Sequence, residues 1–546
     1  MTRDSLNKIG ILILSGLFFI PFLGGVHLFD WDEINFAEIA REMILTGDYL
    51  RPQINFQPFW EKPPLFIWMQ VLSMKIFGIN EFAARFPNAV CGMVCLLLIY
   101  NIGKRYKDEN MGMWWVLAYL GSILPHLYFR SGIIDPWFNL FIFLGIYTYV
   151  LSREIFTSRR FFYIGFSGFF IALAVLTKGP VALLIFGLTG LIFGIFTRFR
   201  NWLWFSTAII FLISFTLTMG LWYGIEIMQN GTWFVEEFIR YQIRLFQTKD
   251  AGHGGFPGYH VVVLLLGCFP ASVFALRALF SYRNAEPSKE ALSDFRLMMK
   301  ILFWVVLIVF SIVSTKIVHY SSLCYFPLTF LAAQELHRLS SERQQIHWSG
   351  KILLGLIGLV FGLAALAFPI LLKNKDLLIP YLKKDPFAAE TLMAEVSNPF
   401  YLYAAGIVIL ASVIIGFVLS MKENPANGFR VLFIGNALGI MLVIYLVIGR
   451  AEMFSQHAHI EFLKSCAAKN IPVQTFGFKS YAQYFYGQST QTLPSGETIL
   501  AEGFPQDICL TAKINREAEL DARGDLIKLD RKNGFVFYLK KASNVE

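Results

Sequence analysis

Long apolar runs separated by short charged loops set the rhythm of this chain. Runs at 9–29, 84–103, 111–129, 136–151, 161–177, 180–197, 202–224, 259–280, 297–315, 320–337, 351–372, 400–420 and 429–449 approach or reach the length that crosses a bilayer. That predicts about thirteen transmembrane helices. The segment 64–79 is apolar but short and opens on Pro63 and Pro64, which predicts a re-entrant or interfacial helix. After Arg450 the long runs stop. Residues 451–546 carry strand-like stretches (PVQTFGF, ETILAEG, DLIKLD, GFVFYLK), a helical SYAQYFY, and Asn533-Gly534 as a turn. The pattern predicts a polytopic α-helical membrane unit over 1–450 and a small α/β domain over 451–546.

Composition agrees. Of 546 residues 56% are hydrophobic and only 16% charged, with 55 Phe; soluble domains carry about 25% charged residues. The first run is too long for a signal-peptide core and lacks a small-residue cleavage site, so it is expected to stay as an anchor. The six Cys show neither metal-ligand nor disulfide spacing and are expected to be packing residues.

Charge orients the helices. Arg3 and Lys8, Lys104 to Lys107, Arg153 to Arg160, Arg198 and Arg200, Arg283 to Arg296, Arg338 to Lys351, and Lys422 with Arg430 fall on alternate loops. By the positive-inside rule those loops face the cytoplasm. The opposite face carries 30–83, with its interfacial helices, 225–258 and the tail from 451. The net charge of +9 is then a topology signal, not a sign of a nucleic-acid partner.

Ionisable residues at membrane depth are costly and mark function. On the outer face they are mixed in sign. LFDWDEINFAEIAREM brings Asp30, Asp32 and Glu33 to the start of an amphipathic, interfacial helix, where an aspartate also suits a simple N-cap. FWEKPP offers Glu61 and Lys62, and RSGIIDPW offers Arg130 and Asp135. LTKGP and STKIVHY place Lys178, Lys316, His319 and Tyr320 at helix ends. RLFQTKDAGHGGFPGYH adds Arg244, Lys249 and His253. Cations with carboxylates suit a site that binds a phosphate and handles a hydroxyl or amine. Each residue also has a plainer reading, as a cap, a snorkelling cation or a local ion pair. A transporter or flippase of lipid-linked sugars is the alternative, but its charges belong near mid-membrane in repeated halves, and the chain has no internal repeat.

WDE followed by FAEIAREM, then EKPP, Arg and Asp five apart in RSGIID, TKGP and KIVHY together resemble the ArnT-type lipid A aminoarabinose transferases. These belong to the wider protein O-mannosyltransferase-like group of GT-C fold. The resemblance implies a sugar donor on undecaprenyl or another polyprenyl phosphate. It implies a lipid A, glycan or protein acceptor, inversion at the sugar, and an active site on the outer face of the bacterial inner membrane. It implies Asp32 and Asp135 as the catalytic acidic pair, and Lys62 as the donor-phosphate ligand with Arg244, Lys316 and Lys178. Glu33, Arg130, His319 and Tyr320 would complete the cavity. Glu61 with His253 resembles a metal pair, for zinc, magnesium or manganese, that ties the outer loops. Many relatives carry Arg three residues after the catalytic Asp where this chain has Asn35, so the sugar itself is not implied.

Overall fold

The computed structural model describes residues 2–30, 32–155, 157–199, 205–248, 254–280, 290–382 and 384–542. Trp31, Arg200, Lys249, His253, Arg283 and Lys289 lie outside them.

Helix α1 (Arg3–Phe19) is capped by Thr2, whose hydroxyl accepts from the Ser5 amide. It is shorter than the run 9–29 that predicts it. Pro21 has no amide to continue the ladder and disfavours helical geometry just before it, so the chain turns there. Helix α2 (Asp32–Thr46) and the two-residue strands β1 (Gln53–Ile54) and β2 (Gln57–Pro58) form the first loop. Pro63 and Pro64 lead into α3 (Leu65–Phe77), which Gly78 ends at a φ of 82°. Asn80 then caps α4 (Glu81–Tyr106).

Among the described residues seven helices are long and apolar enough to cross a membrane, or eight if the bent pair Ile123–Arg130 and Asp135–Glu154 counts as one span. Several apolar runs are broken rather than continuous. The run 259–280 is two helices, Tyr259–Gly267 and Ala271–Phe280, with Pro270 between them. The run 111–129 breaks at Gly121 and Ser122. Hydropathy counts apolar side chains and registers neither these breaks nor the helix ends that leave Arg3–Phe19, Val181–Phe196 and Tyr325–Ser341 shorter than the runs they belong to, which accounts for the lower count.

The C-terminal segment forms a four-stranded sheet in the order β3-β4-β6-β5, from β3 (Val473–Phe476), β4 (Ile508–Lys513), β5 (Leu526–Lys532) and β6 (Phe535–Lys540). β3 runs parallel to β4 and the other pairs are antiparallel. Asn533 and Gly534, at φ 48° and 80°, make the tight turn into β6. ETILAEG, expected as a strand, is a helix (Gly496–Glu502): Ser495 accepts from the Thr498 amide at its start and Gly503 ends it. The edge between the helical part and the sheet is packed rather than open. Ile34, Ala37 and Ile39 of α2 share a core with Phe66 and Val71 of α3 and with Leu463, Phe485 and Tyr486.

That packing corrects one expectation. Residues Glu33 to Met43 of α2 are all buried, so the helix does not lie half in lipid. Several of its polar side chains find partners inside the protein. Arg41 donates to both oxygens of Glu38 at 2.7 Å and to the Ser489 carbonyl at 2.7 Å, and Glu42 accepts from the Phe56 amide at 2.9 Å.

Candidate functional site

A cavity of about 1000 Å³ opens where α2 begins. Its lining combines apolar side chains, among them Phe22, Leu23, Val181, Leu184, Ile444 and Ile448, with polar and charged ones, Asp32, Lys62, Asp135, Lys178, Arg244, His319 and Tyr320. Such a cavity can hold a hydrocarbon chain and an anionic head together.

Local sequence sets the charged lining. In TKGP, Gly179 adopts a φ of 124° and Pro180 starts the next helix. The break leaves Lys178 just past the end of the preceding helix, Arg159–Thr177, where it crosses to Asp135. Asp135 opens Asp135–Glu154, with Pro136 in its first turn, after a 115° bend from Ile123–Arg130. Lys178 Nζ donates to Asp135 Oδ1 at 2.6 Å and stands 5.1 Å from the Tyr320 ring centre. His319 Nε2 lies 3.6 Å from Asp32 Oδ2 and 3.8 Å from Asp135 Oδ2, bridging the two acids. The acids differ in access: the Asp32 side chain is 40% exposed and that of Asp135 3%. Asp135 is thus committed to Lys178, while Asp32 faces the cavity.

Lys62 also lines the cavity, 4.8 Å from the Tyr241 ring centre and 3.5 Å from its hydroxyl. Burial pushes its ammonium below the usual lysine range, and the charges of Glu61 and Asp32 oppose that shift. Arg244, in the last turn of Trp233–Gln247, packs over the same Tyr241 ring at 5.1 Å. Glu61 lines the cavity. Its expected metal partner His253 lies outside the described residues.

Of three further expected site residues, Glu33 and Arg130 line the cavity and Lys316 does not, and each is tied to partners within the protein. Lys316 does not line the cavity: it donates to the carbonyls of Phe310, Ser311 and Val313 and closes the end of the helix Glu290–Ile312. Arg130 reaches the cavity but donates to the Phe18 and Pro21 carbonyls, which the early end of α1 leaves open. Glu33 accepts from Arg85 Nε and Nη2 at 2.9 and 2.7 Å, from the Phe29 amide at 3.0 Å and from the Gly132 amide at 2.5 Å. Burial favours the neutral form of Glu33, but the Arg85 charge and these donors prevail and hold its carboxyl low.

Sequence reasoning missed the contribution of the tail. Lys479 and Tyr481 line the cavity. Asp30 fixes them there by accepting from the Ser480 hydroxyl and, at 3.4 Å, from the Tyr481 amide. Asn35, buried at 7% exposure, also lines the cavity, and its Oδ1 accepts no hydrogen bond.

The fold identifies the class. The chain superimposes on the crystal structure of ArnT from Cupriavidus metallidurans bound to undecaprenyl phosphate with a TM-score of 0.78, at 17% identity, covering 99% of each chain. It also matches the archaeal oligosaccharyltransferase AglB from Archaeoglobus fulgidus at a TM-score of 0.51 and 9% identity, over 95% of this chain and 70% of that one. This is the GT-C fold of multi-span membrane proteins. A family model described as dolichyl-phosphate-mannose-protein mannosyltransferase matches residues 61–222. An undecaprenyl phosphate-alpha-4-amino-4-deoxy-L-arabinose arabinosyl transferase of Shewanella sediminis is 27% identical over 60% of both chains. The match thus spans about 60% of that relative's length. Within the GT-C fold the chain is ArnT-like.

Proposed function

We propose that this protein is an integral-membrane glycosyltransferase that moves a sugar from a polyprenyl phosphate to a lipid A, glycan or protein acceptor. The observation that carries the reading is a single cavity lined both by apolar side chains and by paired acids and cations. The relative and the crystallised ArnT, named for undecaprenyl phosphate chemistry, support the donor class. A flippase would need its charges along a path between two membrane faces, whereas these gather at one group of helix ends. We take 1–450 as the catalytic unit with about thirteen membrane passages, the shorter helices included. We take 451–546 as an α/β domain beside the site, and the periplasmic face of the inner membrane as the location.

In this reading the donor's phosphate sits against Lys62 and Arg244, with its prenyl chain along Phe22, Leu23, Ile444 and Ile448. The acceptor oxygen attacks C1 from the opposite side, and inversion follows from a single displacement. The bond from C1 to the phosphate oxygen breaks and its electron pair leaves with the phosphate. Lys62 matches the charge that develops there, so it acts more strongly in the transition state than in the ground state. Asp32, the accessible carboxylate, takes the acceptor's proton when the acceptor is a hydroxyl. Asp135 holds Lys178 in place, and His319 keeps the two acids apart.

The test is mass spectrometry of lipid A and envelope glycans from cells lacking the gene, complemented with wild type or Asp32→Asn. A fixed mass increment that requires wild type identifies sugar and acceptor together. Full activity of Asp32→Asn removes Asp32 as base. No change in any envelope lipid, glycan or glycoprotein removes the transferase reading.

A further inference from the structure

Away from the cavity, His27, Glu452 and His457 converge so that one ligand atom from each lies within 4.8 Å of the others. They come from three segments: the turn before α2, the end of the short helix Gly449–Glu452, and the first residue of the helix His457–Ala468. His27 Nδ1 faces Glu452 Oε1 at 2.5 Å, and the two imidazoles stand 5.5 Å apart between ring centres. Glu452 is buried and both histidines are partly buried. The geometry points to a zinc site held by His27 Nδ1, Glu452 and His457, with one position left for water.

The donor set and its surroundings fit that ion. Two imidazoles and a carboxylate suit zinc, whose ligand atoms lie about 2.0–2.2 Å from the metal. A spread of 4.8 Å needs only side-chain rotation to close on that distance. Zinc-binding histidines usually give their other ring N–H to a carboxylate. The second nitrogen of His27, Nε2, lies 3.4 Å from Glu461 Oε1. Lys464, whose Nζ is 3.3 Å from the same nitrogen and 3.1 Å from Glu461, is the cation nearby. With the proton on Nε2 it stays paired to Glu461 rather than to the ring. The second oxygen of Glu452 accepts from the His27 amide at 3.4 Å, which orients the carboxylate toward the site.

Such an ion is a staple. His27 and Glu452 are 425 residues apart, and five residues after His27 the chain reaches Asp32. A metal here would fix the tail, with Lys479 and Tyr481, against the segment that starts the acidic helix.

Zinc content and melting temperature of the purified full-length protein test this independently of transferase activity. Wild type washed with a weak chelator should retain about one more zinc per chain than His457→Ala or Glu452→Gln. Stripping with a strong chelator should lower the melting temperature, and added zinc should restore it. Glu461→Gln should keep the site but weaken zinc binding by about 10–100-fold. Should the alanine variant fail to fold, cobalt titration of stripped wild type still reports the site through the visible absorption of an imidazole-bound ion. Equal zinc in wild type and both ligand variants, zinc lost only in Glu61→Gln, or wild type that binds neither ion overturns the proposal.

Discussion

Replacing Glu33 by glutamine takes one negative charge from a pocket that also holds Arg85, and both side chains are buried. Each Glu33 oxygen accepts two bonds: Oε1 from Arg85 Nε and the Gly132 amide, Oε2 from Arg85 Nη2 and the Phe29 amide. Whichever way the new amide turns, its NH2 meets two donors and two bonds are lost. A hydrogen bond to a charged group contributes about 1.5–3 kcal/mol, which gives about 3–6 kcal/mol for the pair. Stranding one partner of a buried ion pair costs about 3–5 kcal/mol by a separate route. The two figures describe the same loss and agree. Arg85 keeps its bonds to the Leu23, Val26 and His27 carbonyls, which favours the lower end. The assay is thermal melting in detergent, with Glu33→Gln and Arg85→Met alone and together. Glu33→Gln should melt well below wild type, and the double variant should lose less than the sum of the Glu33→Gln and Arg85→Met losses, because both singles break the same ion pair, while Arg85→Met also strands the Leu23, Val26 and His27 carbonyls. Glu33→Gln that melts like wild type but has lost turnover would refute this reasoning and return Glu33 to the chemistry.

Lys316→Met should lower the melting temperature and leave the apparent donor affinity unchanged, because its ammonium serves three backbone carbonyls; a raised donor KM in a normally stable variant would place Lys316 at the phosphate. Lys178→Met and Asp135→Asn, partners at 2.6 Å, should be strongly non-additive in kcat/KM; losses that add to within about 0.5 kcal/mol would mean they act separately. Burial, and then the Glu38 charge, push the Glu42 carboxyl up to about 8 from an ordinary 4.5. Between those values the folded state binds the extra proton, so stability falls as pH rises through that window, with a ceiling of about 5 kcal/mol. Protection factors over α2, corrected for the base-catalysed intrinsic exchange rate, should therefore be larger at pH 6 than at pH 8.5, and Glu42→Gln should flatten the difference; equal protection factors at both pH values in wild type would contradict it.

The positions of the charged groups along the chain were legible in the sequence, because they follow from local covalent rules. Gly179 and Pro180 must break a helix and so expose Lys178, and Pro136 must begin one and so place Asp135 at its start. The apolar runs likewise fixed where most helices lie, and Asn533-Gly534 fixed the last hairpin. Local rules do not decide which distant partner a charge finds. Glu33 answers Arg85 instead of a substrate, and Arg130 and Lys316 answer carbonyls freed by helix ends that hydropathy does not register. Asp30 meets Ser480 across 450 residues, and Arg41 meets the Ser489 carbonyl across 448. A buried charge must be satisfied by whatever donor or acceptor the packing brings near. That proximity is set by how distant segments pack on one another, the tail on α2 among them, so only the tertiary structure showed which charges are held by partners in the fold.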